Sequence, residues 1–525
     1  MATKGIAKFF IVLTTISAAI MELVDVSIVN VALSQMAGSL GATIEDISWV
    51  ITSYAIANVI IIPLTGFLAD YFGRKNYYIA SMILFTIASW MCGTSDSLWE
   101  LVVWRFVQGI GGGALLSTSQ SILFDAFEPK DRPIASGLFG MGIIMGPTLG
   151  PTIGGWILET TSWHGIFTVN IPIGIIATIL SLAFVEKKQG EGQHKSAMHI
   201  DYAGILLLAM GIGSLQYVLE RGEAEDWFDS QNIRILSITT FVGLTLFVWQ
   251  ELRIKQPAID LRVLSNRTLA LTTIFTFVTG IGLFTSVFVY PVLAQRVLGF
   301  TPLETGLSLL PATAIGVLMM PFIGKSMASG VSPVPFITVG FILFITFGWM
   351  SGEVNAQANR WDFFVPLALR AVGISMVQLP LINQAVAGLQ PKDYAAGIAL
   401  NNMIRQLGGA FGIAIANNYV AQRVAQHKID LLANAYPGNP AYDERLQIMI
   451  QGTMARTGLA INEATQVAYK QLNLIIERQA YLLSYLDTFR LVSVFFIIVF
   501  PLIFFIKIKK QKPSEEALTA MEEAH

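Results

Sequence analysis

An all-α polytopic membrane protein, two six-helix bundles with two further helices inserted between them, is the fold class the sequence predicts, and three observations predict it. Hydrophobic residues make up 54% of the chain and charged residues only 13%, against about 25% charged in a soluble globular protein. Apolar runs of about 20 residues, enough for a helix to cross a bilayer, occur fourteen times. Landmarks of the first half also return in the second at a nearly constant offset.

The first span, near 9–33, follows Lys4 and Lys8 and so resembles a signal peptide, but the run continues through Glu22 and Asp25 without a small-residue cleavage site. Spans near 46–69, 76–94, 99–121, 134–157 and 165–185 complete a first bundle, taken as 1–185. Spans near 201–219 and 233–250 are the inserted pair, with their flanking loops in 186–265. A second bundle takes spans near 268–294, 304–327, 333–351, 361–388, 394–419 and 487–507, and is bounded as 266–419 with 486–510. The connection 420–485 holds Pro437, Gly438 and Pro440. From about 463 it reads as an amphipathic helix through Ala464, Val467, Ala468, Leu472, Ile475 and Ile476, running on into the last span. Residues 511–525 are a short polar tail.

Loop charge gives the orientation. Arg74, Lys75, Lys130, Arg132, Lys187, Lys188, Lys195, Arg253, Lys255, Arg262, Arg267, Lys325, Lys392, Lys507, Lys509, Lys510 and Lys512 all fall on one side, while Glu45, Asp46, Asp96, Glu100 and Glu159 fall on the other. By the positive-inside rule the basic side and both termini are cytoplasmic, and 420–485 lies outside. The internal repeat is read from Pro129-Lys130-Asp131 and Pro391-Lys392-Asp393, 262 residues apart, each followed by a small-residue step at Ser136-Gly137 and Ala396-Gly397. Arg105 and Arg370 are 265 apart, and Pro63-x-x-Gly66 and Pro321-x-x-Gly324 are 258 apart. Parallel halves of this kind belong to rocking transporters that bind substrate at the midplane between them.

Charge inside the apolar spans marks the chemistry. Glu22 and Asp25 lie three residues apart on one face of the first span. A charge at the bilayer centre costs about 2.5–3.5 kcal/mol on the insertion scale, so a function is expected of both. Two readings stand: exchange of a proton against substrate, tuned by Arg105 and Gln108 of the fourth span, or simple pairing with a buried arginine such as Arg105. In the second half Gln295, Arg370, Asn401, Asn402 and Arg405 are the polar residues expected to be buried, either lining a substrate cavity or bracing the bundle. The 33 Phe and 18 Met supply adaptable apolar surface.

In the fifth span Gly142, Gly146, Gly150 and Gly154 recur every fourth residue beside Pro147 and Pro151. Such a stripe survives only where lipid enforces backbone hydrogen bonding, and it allows another helix to approach at backbone distance. It reads either as a static crossing or as a bend at which two bundles rock. The expected partner is the tenth span around Gly316, and the expected role a seal and pivot rather than the site of proton exchange.

Several functions are excluded. No G-x-x-x-x-G-K-[ST] loop exists for an ATP-driven pump. The single cysteine, Cys92, and the five histidines, among them His194 and His199, form no metal-ligand pattern. No nucleophile–base pair points to an enzyme, and no cofactor or nucleic acid is implied.

GFLADYFGRK, from Gly66 to Lys75, resembles the loop signature after the second helix of the major facilitator superfamily. Leu101 to Gly113, with Arg105, Gln108 and Gly109 in R-x-x-Q-G, is similar to its fourth-helix motif, and Gly142 to Gly155 to the fifth-helix motif of its antiporters. LVDVSIVNVAL (Leu23 to Leu33), SWVITSYAIAN (Ser48 to Asn58), FTVNIPIG (Phe167 to Gly174) and GIGSLQYVLERGEAEDWF (Gly211 to Phe228) resemble the fourteen-helix drug:proton antiporters, of the multidrug exporter B kind. The chain departs from that pattern at His164-Gly165, where many members have Arg-Trp, and in lacking a proline after Leu33.

The resemblance implies the major facilitator fold and a proton-coupled exporter of small amphipathic drugs or other apolar compounds in a bacterial inner membrane. It implies a periplasmic adaptor and an outer-membrane channel as partners, with 420–485 as the dock. It also implies that Gly66, Asp70, Gly73, Arg74 and Lys75 form a conformational latch, where the charges alone would read as a solvated cluster that sets topology. An exporter of one specific metabolite, lipid or siderophore is the alternative function, and a non-transport membrane receptor a third.

Overall fold

The computed structural model describes residues 2–128, 131–187, 201–254, 257, 259, 261–386, 389, 394–433 and 435–505. Pro129, Lys130, Lys188, His194, Lys195, His199, Lys255, Pro391, Lys392, Asp393 and the tail from 506 lie outside the described residues, so the Pro-Lys-Asp repeat landmarks carry no structural statement. No strand occurs among the described residues.

The first bundle is formed by α1 (Ala2–Leu40), the short α2 (Ile44–Ile47), α3 (Trp49–Phe72), α4 (Arg74–Cys92), α5 (Leu98–Asp125), α6 (Arg132–Thr160), the short α7 (Gly165–Thr168) and α8 (Asn170–Phe184). The inserted pair is α9 (Tyr202–Arg221) and α10 (Gln231–Arg253). The second bundle contains α11 (Arg267–Leu293), α12 (Pro302–Ala328), α13 (Pro333–Ser351), α14 (Phe364–Val386), α15 (Tyr394–Leu432) and α17 (Ile461–Val499), with α16 (Pro440–Thr457) between the last two. Turn chemistry sets the boundaries. Thr301 and Glu304 form a capping box at the start of α12, and Asn266 caps α11 by accepting from the Thr268 and Leu269 N–H groups.

Helices thus stand at all fourteen expected spans, but among the described residues only eleven are apolar enough to be recognised as crossings on their own. The other three are α4, α5 and α15. The interior face of α5 is polar or bare, with Arg105, Gln108, Gly109, Gly111 to Gly113 and Ser117 to Ser121 all buried. α4 opens with Arg74-Lys75-Asn76, and α15 carries buried Asn401, Asn402 and Arg405 and then runs past the apolar zone. Polar interior faces lower hydropathy without changing where a helix sits.

The two halves repeat one packing scheme. α1 packs on α6 as α11 packs on α15; α3 on α5 as α12 on α14; and α4 on α5 as α13 on α14. Between the halves, α6 lies along α12, and their repeat counterparts α15 and α3 lie together. The inserted α9 packs on α3, with Leu208 and Ile212 joining Val59 and Ile62 of α3 and Leu400 and Met403 of α15 in one cluster.

The glycine stripe of α6 faces α1. A Cβ at Gly142 would lie 3.2 Å from Ile20 Cγ1, one at Gly150 2.9 Å from the Ile28 backbone N, and one at Gly154 2.8 Å from Ile28 Cγ1; at Gly146 it would overlap Leu23 Cβ. This corrects the expected contact with Gly316, which instead packs against Ala371 of α14. The fifth and tenth spans do meet, through a different glycine set. Gly137 abuts the Met320 carbonyl, Gly155 the Leu303 backbone, Gly306 Thr152 and Gly324 the Pro133 carbonyl. Four-residue spacing predicts a close approach; it does not say to which helix. Pro147 and Pro151 are both buried inside one unbroken helix. Nearby, the Thr148 hydroxyl bonds the Ile144 carbonyl at 3.3 Å and meets Thr313 of α12 at 3.1 Å.

The segment after α15 is a helical extension. α17 is continuous from Ile461 to Val499, as its amphipathic pattern predicts. Ala464 and Ala468 are buried, and the exposed face carries Ile461, Tyr469, Leu474 and Ile475.

Candidate functional site

Asp25 sits at the centre of a polar knot inside the first bundle. Arg105 Nη1 donates to its Oδ2 at 2.6 Å, while Gln108 Nε2 and Asn170 Nδ2 donate to Oδ1 at 2.9 and 2.8 Å. Arg105 is bound in turn to Gln108 Oε1 at 2.7 Å and, through Nε, to the Val50 carbonyl at 3.1 Å. Its guanidinium lies 4.3 Å from the centre of the Tyr54 ring. The Ser89 hydroxyl accepts from Gln108 and Asn170 at 3.1 and 3.0 Å and donates to the Phe167 carbonyl at 2.9 Å. α1, α3, α4, α5 and the start of α8 therefore meet at one carboxylate, and the Asp25 and Arg105 side chains are 0% and 1% exposed.

Backbone proximity makes the knot possible. On α5, Cβ atoms at Gly109 and Gly113 would lie 2.5 Å from the Tyr54 carbonyl and 2.7 Å from the Asn58 carbonyl of α3, and one at Gly111 2.8 Å from the Phe85 N of α4. The run of glycines after Gln108 thus draws three helices together, and Arg105 and Gln108 reach Asp25 directly. Removing one partner of a buried ion pair costs about 3–5 kcal/mol, because the other charge stays behind.

Glu22 has a different hydrogen-bond partner from Asp25. One turn along α1 from Asp25, it turns to the interface between the halves. There Asn58 Nδ2 of α3 donates to its Oε1 at 3.2 Å, and Arg405 of α15 is buried in the second bundle. Glu22 Oε2, Asn58 Oδ1, Asn402 Oδ1, Arg405 Nη1 and both amide atoms of Gln378 are buried with no hydrogen-bond partner among the described residues. A small cavity opens beside Gln378 and Arg405, lined by Thr276, Thr279, Gln378, Leu381, Ile382, Asn401 and Arg405, all of the second bundle. Asn402 also bridges the halves, donating to Ser117 Oγ of α5 at 3.0 Å.

Of the other expected cavity residues, Asn401 accepts from Thr276 at 2.8 Å in this chamber. Gln108 belongs to the Asp25 knot instead. Arg370 is buried two turns along α14 from Gln378 and reaches Ser286 Oγ at 3.5 Å. Gln295 is only half-buried, in the turn that ends α11, well beyond Thr279 on the same helix, so the structure does not bring it to the chamber. Sequence reasoning misses Asn58, Ser89, Asn170 and Gln378. These are neutral, so a bilayer position exacts little from them and leaves no signal. Asn170 lies within the quoted FTVNIPIG stretch, but at a helix start, where an asparagine reads as a cap.

At the basic end of the bundle, Gly73 closes α3 and opens α4 at φ +84°, a conformation that favours glycine. Arg74 is ion-paired with Asp125 of α5, and Lys75 Nζ donates to the Leu182 carbonyl at 2.8 Å. Asp70 is exposed one turn from Gly66. A Cβ at Gly66 would lie 3.4 Å from the Ala396 N, so α3 and α15 touch at this end. There Ser136 Oγ of α6 also donates to Asn383 Oδ1 of α14 at 2.9 Å.

Residues 15–413 match the family model of the Major Facilitator Superfamily. The chain is 31% identical to the multidrug export protein EmrB of Haemophilus influenzae over 465 residues, 88% of this chain and 90% of that protein. It is 32% identical to the fatty acid resistance protein FarB of Neisseria gonorrhoeae over 508 residues, 96% of this chain and 97% of that protein. The fold is similar to that of the proton:xylose symporter XylE, with a TM-score of 0.60 at 12% identity, covering 98% of this chain and 99% of that one.

Proposed function

Because this chain belongs to the major facilitator superfamily, in the branch of the EmrB-type export proteins, we propose that it is a proton-coupled antiporter. It exports amphipathic drugs or other apolar compounds across a bacterial inner membrane by alternating access, with both termini cytoplasmic. The single observation that carries the coupling is the buried Asp25–Arg105 pair, inside a bundle that must move against its partner. In this reading Asp25, assisted by Glu22, is the proton carrier, with Arg105 and Gln108 tuning it. The test is proton release from purified protein on addition of substrate, over a chemically varied panel. Release by several unrelated amphiphiles supports multidrug antiport. Release by one compound class alone gives the alternative of a specific exporter, for which the likeness to a fatty acid resistance protein makes long-chain acids the first compounds to try.

Gly66, Asp70, Gly73, Arg74 and Lys75 serve as the latch in this reading, engaged while α3 and α15 touch at the cytoplasmic end. Asp70→Asn is then expected to lower transport with membrane expression unchanged; equal loss of both would make Asp70 a folding residue. The stripe from Gly142 to Gly154 with Pro147 and Pro151 keeps its proposed hinge role by seating α1.

The extension formed by the end of α15, α16 and the start of α17 is proposed to dock a periplasmic adaptor that leads to an outer-membrane channel. Its exposed Ile448, Ile461, Tyr469, Leu474 and Ile475 offer the apolar surface. Replacing Ile448, Ile461, Tyr469, Leu474 and Ile475 together with serine should end copurification with the adaptor, and undiminished copurification would sink the docking role.

A further inference from the structure

Resting on the transport reading above, we propose that the small cavity inside the second bundle takes the carboxylate head of the exported compound, with Arg405 as its counter-charge. The cargo this selects is an acidic amphiphile, one carboxylate on an apolar chain. Buried charge is divided unevenly between the halves. Among the described residues the first bundle buries Glu22 and Asp25 with Arg105, whereas the second buries Arg370 and Arg405 and no carboxylate. An arginine stays charged inside a protein, and a buried charge without a partner carries a large desolvation penalty.

Arg405 is 3% exposed, its Nη1 has no hydrogen-bond partner, and it enters no ion pair among the described residues. The acids of α1 are engaged elsewhere: Asp25 is closed on Arg105, and Glu22 accepts from Asn58. Around the guanidinium, neither amide atom of the buried Gln378 is bonded. Asn401 spends its carbonyl oxygen on the Thr276 hydroxyl, so its N–H groups remain as donors. These three side chains line one cavity, and no acid lines it with them.

That lining sorts head groups by charge. A cation is repelled by Arg405, and a neutral head leaves the guanidinium uncompensated. A planar carboxylate matches the guanidinium fork with two charge-assisted N–H···O bonds, and the Gln378 and Asn401 amides can donate to the same oxygens. Leu381 and Ile382 form the apolar wall against which the attached chain would begin.

The test is equilibrium binding of radiolabelled dodecanoate to the full chain in lipid nanodiscs, with empty nanodiscs subtracted, no gradient applied and the pH mildly alkaline so that the acid is ionised. Unlabelled dodecanoate, dodecanol, dodecylamine and acetate serve as competitors. Dodecanoate is expected to compete at least about tenfold better than dodecanol or dodecylamine. Acetate, a head without a chain, should compete far more weakly still. Arg405→Gln should weaken dodecanoate about tenfold and leave competition between dodecanol and dodecylamine unchanged. Equal affinities for acid and alcohol in wild type would reduce the cavity to a water site and Arg405 to a brace. Undiminished dodecanoate binding by Arg405→Gln also overturns the proposal, as does acetate competing as well as dodecanoate, which would leave a site for small free anions. Should the variant fail to fold, the wild-type ranking decides alone. Failure of the antiport reading would look different: no compound would release protons, whatever the ranking at equilibrium.

Discussion

Asp25→Asn is expected to end substrate-induced proton release and to reduce proton-driven transport in proteoliposomes to background. Asparagine keeps the volume and a carbonyl acceptor for Gln108 or Asn170 but removes the counter-charge of Arg105, which is 1% exposed. Loss of one member of a buried pair predicts destabilisation by about 3–5 kcal/mol, read as a lower unfolding temperature in detergent. Stability and coupling are separable by a second variant. Asp25→Asn with Arg105→Gln carries no buried charge in the knot, so it should regain most of the unfolding temperature while still releasing no protons. Wild-type proton release from Asp25→Asn would remove Asp25 as the carrier. Recovery of both properties in the double variant would make the pair a purely structural element.

Gly150→Leu is expected to abolish transport or uncouple it, and the structure grades the milder substitutions of the stripe. At Gly150 even a methyl group would lie 2.9 Å from the Ile28 backbone N and from Ser27 Cβ, so α1 must move away from α6. At Gly142 the nearest atoms are the side-chain carbons of Ile20 and Ile16 at 3.2 and 3.3 Å, which yield by small rotations. Overpacking costs about 1–3 kcal/mol where the neighbour is rigid. Gly150→Ala should therefore lower the unfolding temperature and the transport rate well below those of Gly142→Ala. The functional loss follows from what α1 carries: displacing Ser27 and Ile28 also displaces Asp25, two residues away, from donors held at 2.6–2.9 Å. Normal coupling in Gly150→Leu would leave the stripe as packing without a part in the transport cycle.

The helices were legible in the sequence because lipid imposes a length and an apolar composition on each crossing, and even the long α17 shows in its amphipathic period. The Arg105–Arg370 and Pro63–Pro321 offsets likewise anticipate matching positions, since Arg105 and Arg370 are both buried, on α5 and α14. What a periodic pattern omits is direction. The stripe announces a close approach but not that α1 occupies it, and Glu22 and Asp25 share a helical face yet serve different neighbours. A turn of about 60° between positions three apart is enough to give the two carboxylates different hydrogen-bond partners. Neutral partners such as Asn170 and Gln378 are invisible because nothing about an isolated amide in an apolar run demands a partner.

The inserted helices break the equivalence of the two approaches to the chamber. α9 lies over the line where α3 meets α15, with Leu208 and Ile212 packed against both, while Leu318 and Phe322 of α12, beside α6, are 75% and 63% exposed. One seam is thus covered by a further layer of the chain itself, while the other, closed by direct contact of α6 with α12, keeps a bare apolar outer face. A solute already dissolved in the membrane meets a protein with a front and a back.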